Sequence, residues 1–393
     1  MRTITCILHG ITDKPLQDLG GLTPLQKASC ENLDFLAKEG SFFSATPPRC
    51  GGVEAALMSL LSKYDVSEPL ALGLLQAYSC GYDVNVDQMA FVIRLISTVN
   101  DIVVDVSDDI VSDEEGRMLC KGLNDAASEL GCHFLHISGP NAVVIMQSSC
   151  EYNHTGFHEY NPIKTEGKHW LYPLALSKHP SNLELASLLR KASEILGNHE
   201  INALREDLEE PQVNALLISH VGGMFHDIQK YTPEDASDTL LYTTSPVSSG
   251  ISKLLGIDLL KLPSEHKKYS HLQTILCRLD TILEKKDRII MEFHYLWNST
   301  FKGDLLGKVK GIEFLDKNLM GPLVKYCSSH DVQLTVLPLQ NSDIKSGEWR
   351  SGNIPVAIFP SSMERKPLQA FQVSAFQEQY VAGAKNIPLH TLA

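Results

Sequence analysis

Apolar residues in this chain gather into short compact runs separated by stretches of helical periodicity. Residues 3–8 form one such run with β-branched members and predict a buried strand. His9-Gly10 follows, and a Gly, Pro and Asp loop occupies residues 12–23. In residues 32–39 the spacing of Leu33, Leu36 and Ala37 predicts a helix that Gly40 stops. Residues 55–62 predict a second short helix. Further strands are expected at 215–219, 240–243, 288–293, 333–337 and 356–359. Helical patterns at 248–255, 271–283 and 305–319 lie between them, the last with Leu305, Val309, Ile312 and Leu319 on one face. Strands separated by helices imply an α/β fold whose mostly parallel sheet is flanked by helices on both faces.

Residues 68–172 have a different texture. Strands are expected near 90–97, 102–106 and 142–146, an acidic helix at 113–130, and a polar loop rich in Asn, His, Tyr and Gly at 148–169. This pattern predicts a smaller α/β cap domain, 68–172, inserted into a core made of 1–67 and 173–393.

Composition narrows the function classes. Hydrophobic residues make up 43% and charged residues 21% of 393, as in ordinary globular proteins, which excludes disorder and collagen-like repeats. A net charge of −13 argues against nucleic acid or an anionic membrane as the main partner. The apolar runs are far shorter than the roughly 18 residues of a spanning helix, and the first residues read as a strand and not as a signal peptide. The nine cysteines are widely spaced with no Cys-x-x-Cys pair, so free thiols in a reducing, cytoplasmic setting are expected. The P-loop, the Gly-x-Gly-x-x-Gly fingerprint, the Gly-x-Ser-x-Gly elbow and the zinc-protease helix are all absent.

One match runs through nearly the whole chain in order. It begins with His9-Gly10-Ile11-Thr12-Asp13-Lys14-Pro15, Leu19-Gly20-Gly21-Leu22-Thr23-Pro24-Leu25 and Asn32-Leu33-Asp34-Phe35-Leu36-Ala37-Lys38-Glu39-Gly40. It continues with Ser59-Leu60-Leu61-Ser62-Lys63-Tyr64-Asp65, with Ser193 through Asn202, and with Gly303-Asp304 through Lys308, Ile312-Glu313, Asp316 and Gly321-Pro322-Leu323. These stretches resemble the archaeal-type cofactor-independent phosphoglycerate mutases of the alkaline phosphatase superfamily. The resemblance implies an alkaline-phosphatase-like core, two divalent cations (Mn, Zn or Mg) and a transiently phosphorylated serine.

The resemblance weakens where it implies chemistry. Two cations about 3.5–4 Å apart need carboxylates and imidazoles from several loops. The slots implied for the metal ligands hold His9, Trp297, Phe301, Gln340 and Arg350, and the nucleophile slot holds Gly52, which has no oxygen to phosphorylate. The phosphate-gripping slots of the cap read Leu72, Val92, Ile110, Pro140 and Asn141. Ser59 is the nearest hydroxyl to offer as a substitute nucleophile, but a mid-helix serine more often bonds its own backbone. Asp13 is expected to cap its loop, and His154, His158 and His169 to face solvent. Trp297 and Phe301 are expected to fill the volume of ions and their waters, making the former site apolar.

Three function hypotheses follow. The first is a catalytically silent relative, a pseudoenzyme without metal or cofactor, that binds a protein partner or a small anionic ligand. The second is an active phosphoglycerate mutase or related phosphoryl-transfer enzyme with rearranged ligands. Asp13, His9, His294 and Asp304 would then contribute, and His9 would pair with His294 or His220 around a metal. The third is an architectural subunit. Fold alone does not choose among them, because function lives in sites.

Overall fold

The computed structural model describes residues 2–48, 52–66, 70–85, 87–126, 131–147, 165–171, 180–222, 233–260, 268–360 and 386–392. The chain begins with strands β1 (Arg2–Leu8) and β2 (Ser41–Thr46). It then contributes β3 (Gln88–Val99), β4 (Ile102–Asp105), β5 (Cys132–Ser138), β6 (Asn141–Gln147) and β7 (Ala215–Gly222) to a second unit. It returns with β8 (Thr239–Tyr242), β9 (Asp258–Leu260), β10 (Arg288–Phe293), β11 (Val332–Leu337), the short pair β12 (Asn341–Asp343) and β13 (Glu348–Arg350), β14 (Ile354–Phe359) and β15 (Asn386–Pro388).

The first unit comprises residues 1–69 and 228–393. Its eight-stranded sheet runs β15-β2-β14-β11-β1-β10-β8-β9. β1 pairs in parallel with both β10 and β11, and β8 and β9 continue the parallel run. β14 is antiparallel to its two neighbours. The central strands are buried on both faces, which is why they read as continuous apolar runs without alternation. Helices supply the cover: Leu33 and Leu36 of Glu31–Glu39 and Ile312, Leu315 and Leu323 of the helices after β10 share one core with Ile4, Cys6 and Ile289.

The second unit comprises residues 70–227. Its antiparallel sheet runs β4-β3-β6-β5, with β7 on the other edge of β3. The expected boundary at residue 172 therefore falls short. The apolar run at 215–219 pairs with β3 here and is no strand of the core sheet. Leu185, Leu189 and Ala192 of helix Pro180–Gly197 join the same core as Phe91, Ile93 and Leu119. The acidic helix spans Asp113–Asp125, opened by a capping box between Ser112 and Glu115. Arg94 is buried at 2% exposure and spends its guanidinium on the Val106 carbonyl, Asn141 and Asp108, all within the unit.

Several of the motif residues that resemble the mutase family have structural roles. Asp316 accepts the Asn32 and Leu33 amides at 3.1 and 2.7 Å, capping from a distance a helix whose own N-cap, Cys30, makes no such bond. That buried carboxylate sits where the expected 305–319 helix loosens into a wide turn at Asp316–Met320. Asp304 caps helix Leu305–Leu315 through the Gly307 amide, 2.8 Å away.

Lys308 and Asp13 fix the loops that frame one edge of the sheet. Both side chains are fully buried, with Nζ to Oδ2 at 2.6 Å. Nζ also donates to the Ser342 hydroxyl at 3.1 Å and the Thr12 carbonyl at 3.4 Å, and Asp13 accepts the Ile344 amide. The pair thus joins the loop after β1 to β12. Breaking it leaves a buried charge without its partner, so Lys308→Met is expected to lower stability by about 3–5 kcal/mol. The double variant Lys308→Met/Asp13→Asn should recover part of that loss. Chemical denaturation of the three variants checks this, and purely additive losses would contradict it.

Candidate functional site

Ile7 faces Glu292, and Leu8 faces Phe293, across the β1–β10 pair. Parallel strands in register end together, so the residues just past them emerge side by side at the carboxyl edge, where open α/β sheets bind ligands. The His9 amide donates to the Phe293 carbonyl at 3.0 Å. The rings of His9 and His294 stack, with centroids 4.3 Å apart and 18° between planes. Gly10 makes this approach possible. Its φ is +83°, and a Cβ there would stand 2.7 Å from the Trp297 amide nitrogen.

Glu292 lies inside β10, a strand buried throughout. Its Oε1 is 2.8 Å from His9 Nε2 and 3.2 Å from His294 Nε2. The Thr243 hydroxyl, just past β8, donates to Oε2 at 2.6 Å and accepts the Ser245 amide at 2.9 Å. Burial alone would raise the Glu292 carboxyl, but the His294 charge at close range and the hydrogen bond with His9 outweigh it and hold the group well below the ordinary range. Burial, reinforced by His294, pushes His9 below its ordinary value in spite of Glu292. An ionised Glu292 beside a neutral His9 makes Nε2 the donor. His9 Nδ1 and His294 Nε2 are buried and find no hydrogen-bond partner among the described residues.

Two other elements close on this cluster. From β13, Trp349 turns its ring edge to His9 (centroids 5.8 Å, 66°) and stacks face to face on Trp297 at 3.5 Å and 8°. Phe301 lies 5.9 Å beyond Trp297 in helix Tyr295–Phe301. Helix Gly52–Ser62 brings Glu54, whose Oε2 stands 3.0 Å from where a Cβ of Gly52 would be. Burial raises the Glu54 carboxyl to about 7, opposed by its own backbone amide and reinforced by the Glu292 charge.

The expected site residues thus divide. His9, His294, Trp297 and Phe301 share the edge, and Glu54 links Gly52 to it. Gln340 follows β11, with its buried carboxamide oxygen lacking a partner among the described residues. Arg350 pairs with Asn341 in the β12–β13 ladder. Ser59 is spent: its hydroxyl accepts the Val66 amide at 3.0 Å. Asp13 and Asp304 are engaged as described above. His220 falls within β7 of the second unit, its side chain outside the described residues, as are His154 and His158; His169 is exposed, as expected. Glu292, Glu54, Thr243 and Trp349 were not singled out from the sequence. Glu292 carried a usable signal, since an acid inside a strand buried on both faces demands partners.

The edge is therefore not uniformly apolar. One side is the tryptophan stack and the other an acid–imidazole cluster. Two divalent cations do not fit its donors. One ligand atom each from His9, Glu292 and His294 lie within 4.8 Å of one another, and theirs is the one cluster of three or more such donors among the described residues. The other implied slots carry two aromatic rings, a carboxamide and a guanidinium, which do not offset four positive charges.

Comparison with known proteins places the chain. Residues 54–202 match the model of a family described as 2,3-bisphosphoglycerate-independent phosphoglycerate mutase. The protein of that description from Methanopyrus kandleri is 25% identical over 400 residues, covering 95% of this chain and 91% of the relative. A protein from Pyrococcus horikoshii has the same fold with a TM-score of 0.69 at 19% identity, covering 100% of this chain and 95% of that one. The cofactor-independent phosphoglycerate mutase of Thermoplasma acidophilum follows at 0.54 and 18%, covering 100% and 98%. Together with the ordered motifs and the mostly parallel sheet, these matches show that the chain is similar in sequence and fold to the archaeal cofactor-independent phosphoglycerate mutases.

Proposed function

We propose that this chain is catalytically silent as a mutase and works by binding. The observation that carries the reading is the geometry at Gly52. The nucleophile slot has no hydroxyl, its φ of +70° disfavours any other residue, and the Glu54 carboxylate stands 3.0 Å from the space a serine Cβ would take. Above about pH 7, where Glu54 gives up its proton, its carboxylate repels an incoming phosphoryl group, and the ionised Glu292 adds to that repulsion. For the same reason this edge suits a small anionic ligand poorly, so a protein partner is the better candidate.

The experiment is conversion of 3-phosphoglycerate to 2-phosphoglycerate in added manganese. No turnover above the protein-free rate is expected, either for the natural chain or for Gly52→Ser. Turnover by the natural chain would overturn the reading. Glu54 gives a second test. Its carboxyl holds a proton in the folded state that the unfolded chain has already released, so stability falls as pH rises from about 4.5 through about 7. Glu54→Gln removes that loss. Its Tm should exceed that of the natural chain at pH 8 and equal it at pH 4. An identical difference at both pH values would show that Glu54 is not held protonated by this pocket.

A further inference from the structure

Glu292 and His294 stand at no slot that the family resemblance implies for a metal ligand, yet with His9 they make a compact donor set. We propose that His9, Glu292 and His294 bind a single first-row divalent cation, zinc by preference. This goes beyond the silent-mutase reading and does not depend on it.

Ligand chemistry comes first. Two imidazoles and one carboxylate are the three protein ligands of mononuclear zinc sites that keep an open fourth position. Geometry comes second. Tetrahedral zinc with bonds of about 2.0–2.2 Å sets its donors roughly 3.3 Å apart. Here the carboxylate oxygen is 2.8 and 3.2 Å from the two imidazole nitrogens, and all three donor atoms lie within 4.8 Å of one another. His9 is fully buried, and the donor nitrogen of His294, Nε2, is buried with no hydrogen-bond partner among the described residues. A ring nitrogen that finds nothing to bond in such a place costs free energy that coordination would recover.

Charge and access agree. Glu292 and the neighbouring Glu54 bring two negative charges to the pocket when ionised, which one dication balances. The Thr243 hydroxyl already holds the second oxygen of Glu292, the kind of outer contact that orients a metal-binding carboxylate. His294 is 22% exposed, so the cluster opens to solvent through it. The stacked Trp297 and Trp349 wall the opposite side.

The test is titration of the metal-stripped full-length protein with Co²⁺, read by the visible absorption of tetrahedral cobalt and by calorimetry. One equivalent per chain is expected, displaced by Zn²⁺. His294→Gln, at the partly exposed edge, should weaken binding at least about tenfold with an unchanged far-ultraviolet circular dichroism spectrum. Glu292→Gln is the second variant, with the same expected loss. The proposal is overturned if the natural chain binds no cobalt, binds two equivalents, or binds as tightly after both substitutions.

Discussion

A carboxylate inside the sheet organises this edge of the molecule. Glu292 occupies a position in β10 that burial reserves for apolar groups. Keeping a charge there requires polar partners, and each one arrives from a different strand end: His9 after β1, His294, in charge contact, after β10, and Thr243 after β8. The parallel register of those strands delivers them to one place. Gly10, the stacked imidazoles and the tryptophan pair follow from that convergence, because the loop after β1 must lie almost on the backbone of helix Tyr295–Phe301 for His9 to reach.

In the proposed silent relative, the framework of the fold is kept without its chemistry. Motifs shared with the mutase family do architectural work: Asp316 caps a distant helix, Asp304 caps its own, and Lys308 with Asp13 ties the β1 loop to the β12–β13 hairpin. The positions that the resemblance implies for two cations and a phosphoserine carry rings, a carboxamide, a guanidinium and a glycine. Glu54 stands against that glycine, its Oε2 3.0 Å from where a Cβ would be.

Much of the fold was legible in the sequence. β1, β8, β10, β11 and β14 are buried on both faces and read as continuous apolar runs. β2, Ser-Phe-Phe-Ser-Ala-Thr, is partly exposed and mixed in composition, so its run does not stand out. The run at 215–219 announced a strand but not its partner, and partnership with β3 put it in the second unit. The site was less legible for the same reason. Its residues are 283 apart along the chain in the case of His9 and Glu292, and only strand order brings them together. Trp349 comes from a hairpin whose docking depends on Lys308, which no local pattern reveals.

The central physical claim is that Glu292 is ionised and clamped by the two histidines. Carbon-13 NMR of selectively labelled glutamate, with Glu292→Gln for assignment, measures this directly across a pH titration. The account predicts one carboxyl resonance that keeps its ionised shift down to the onset of acid unfolding. A Glu292 resonance titrating at or above the ordinary glutamate range would contradict it.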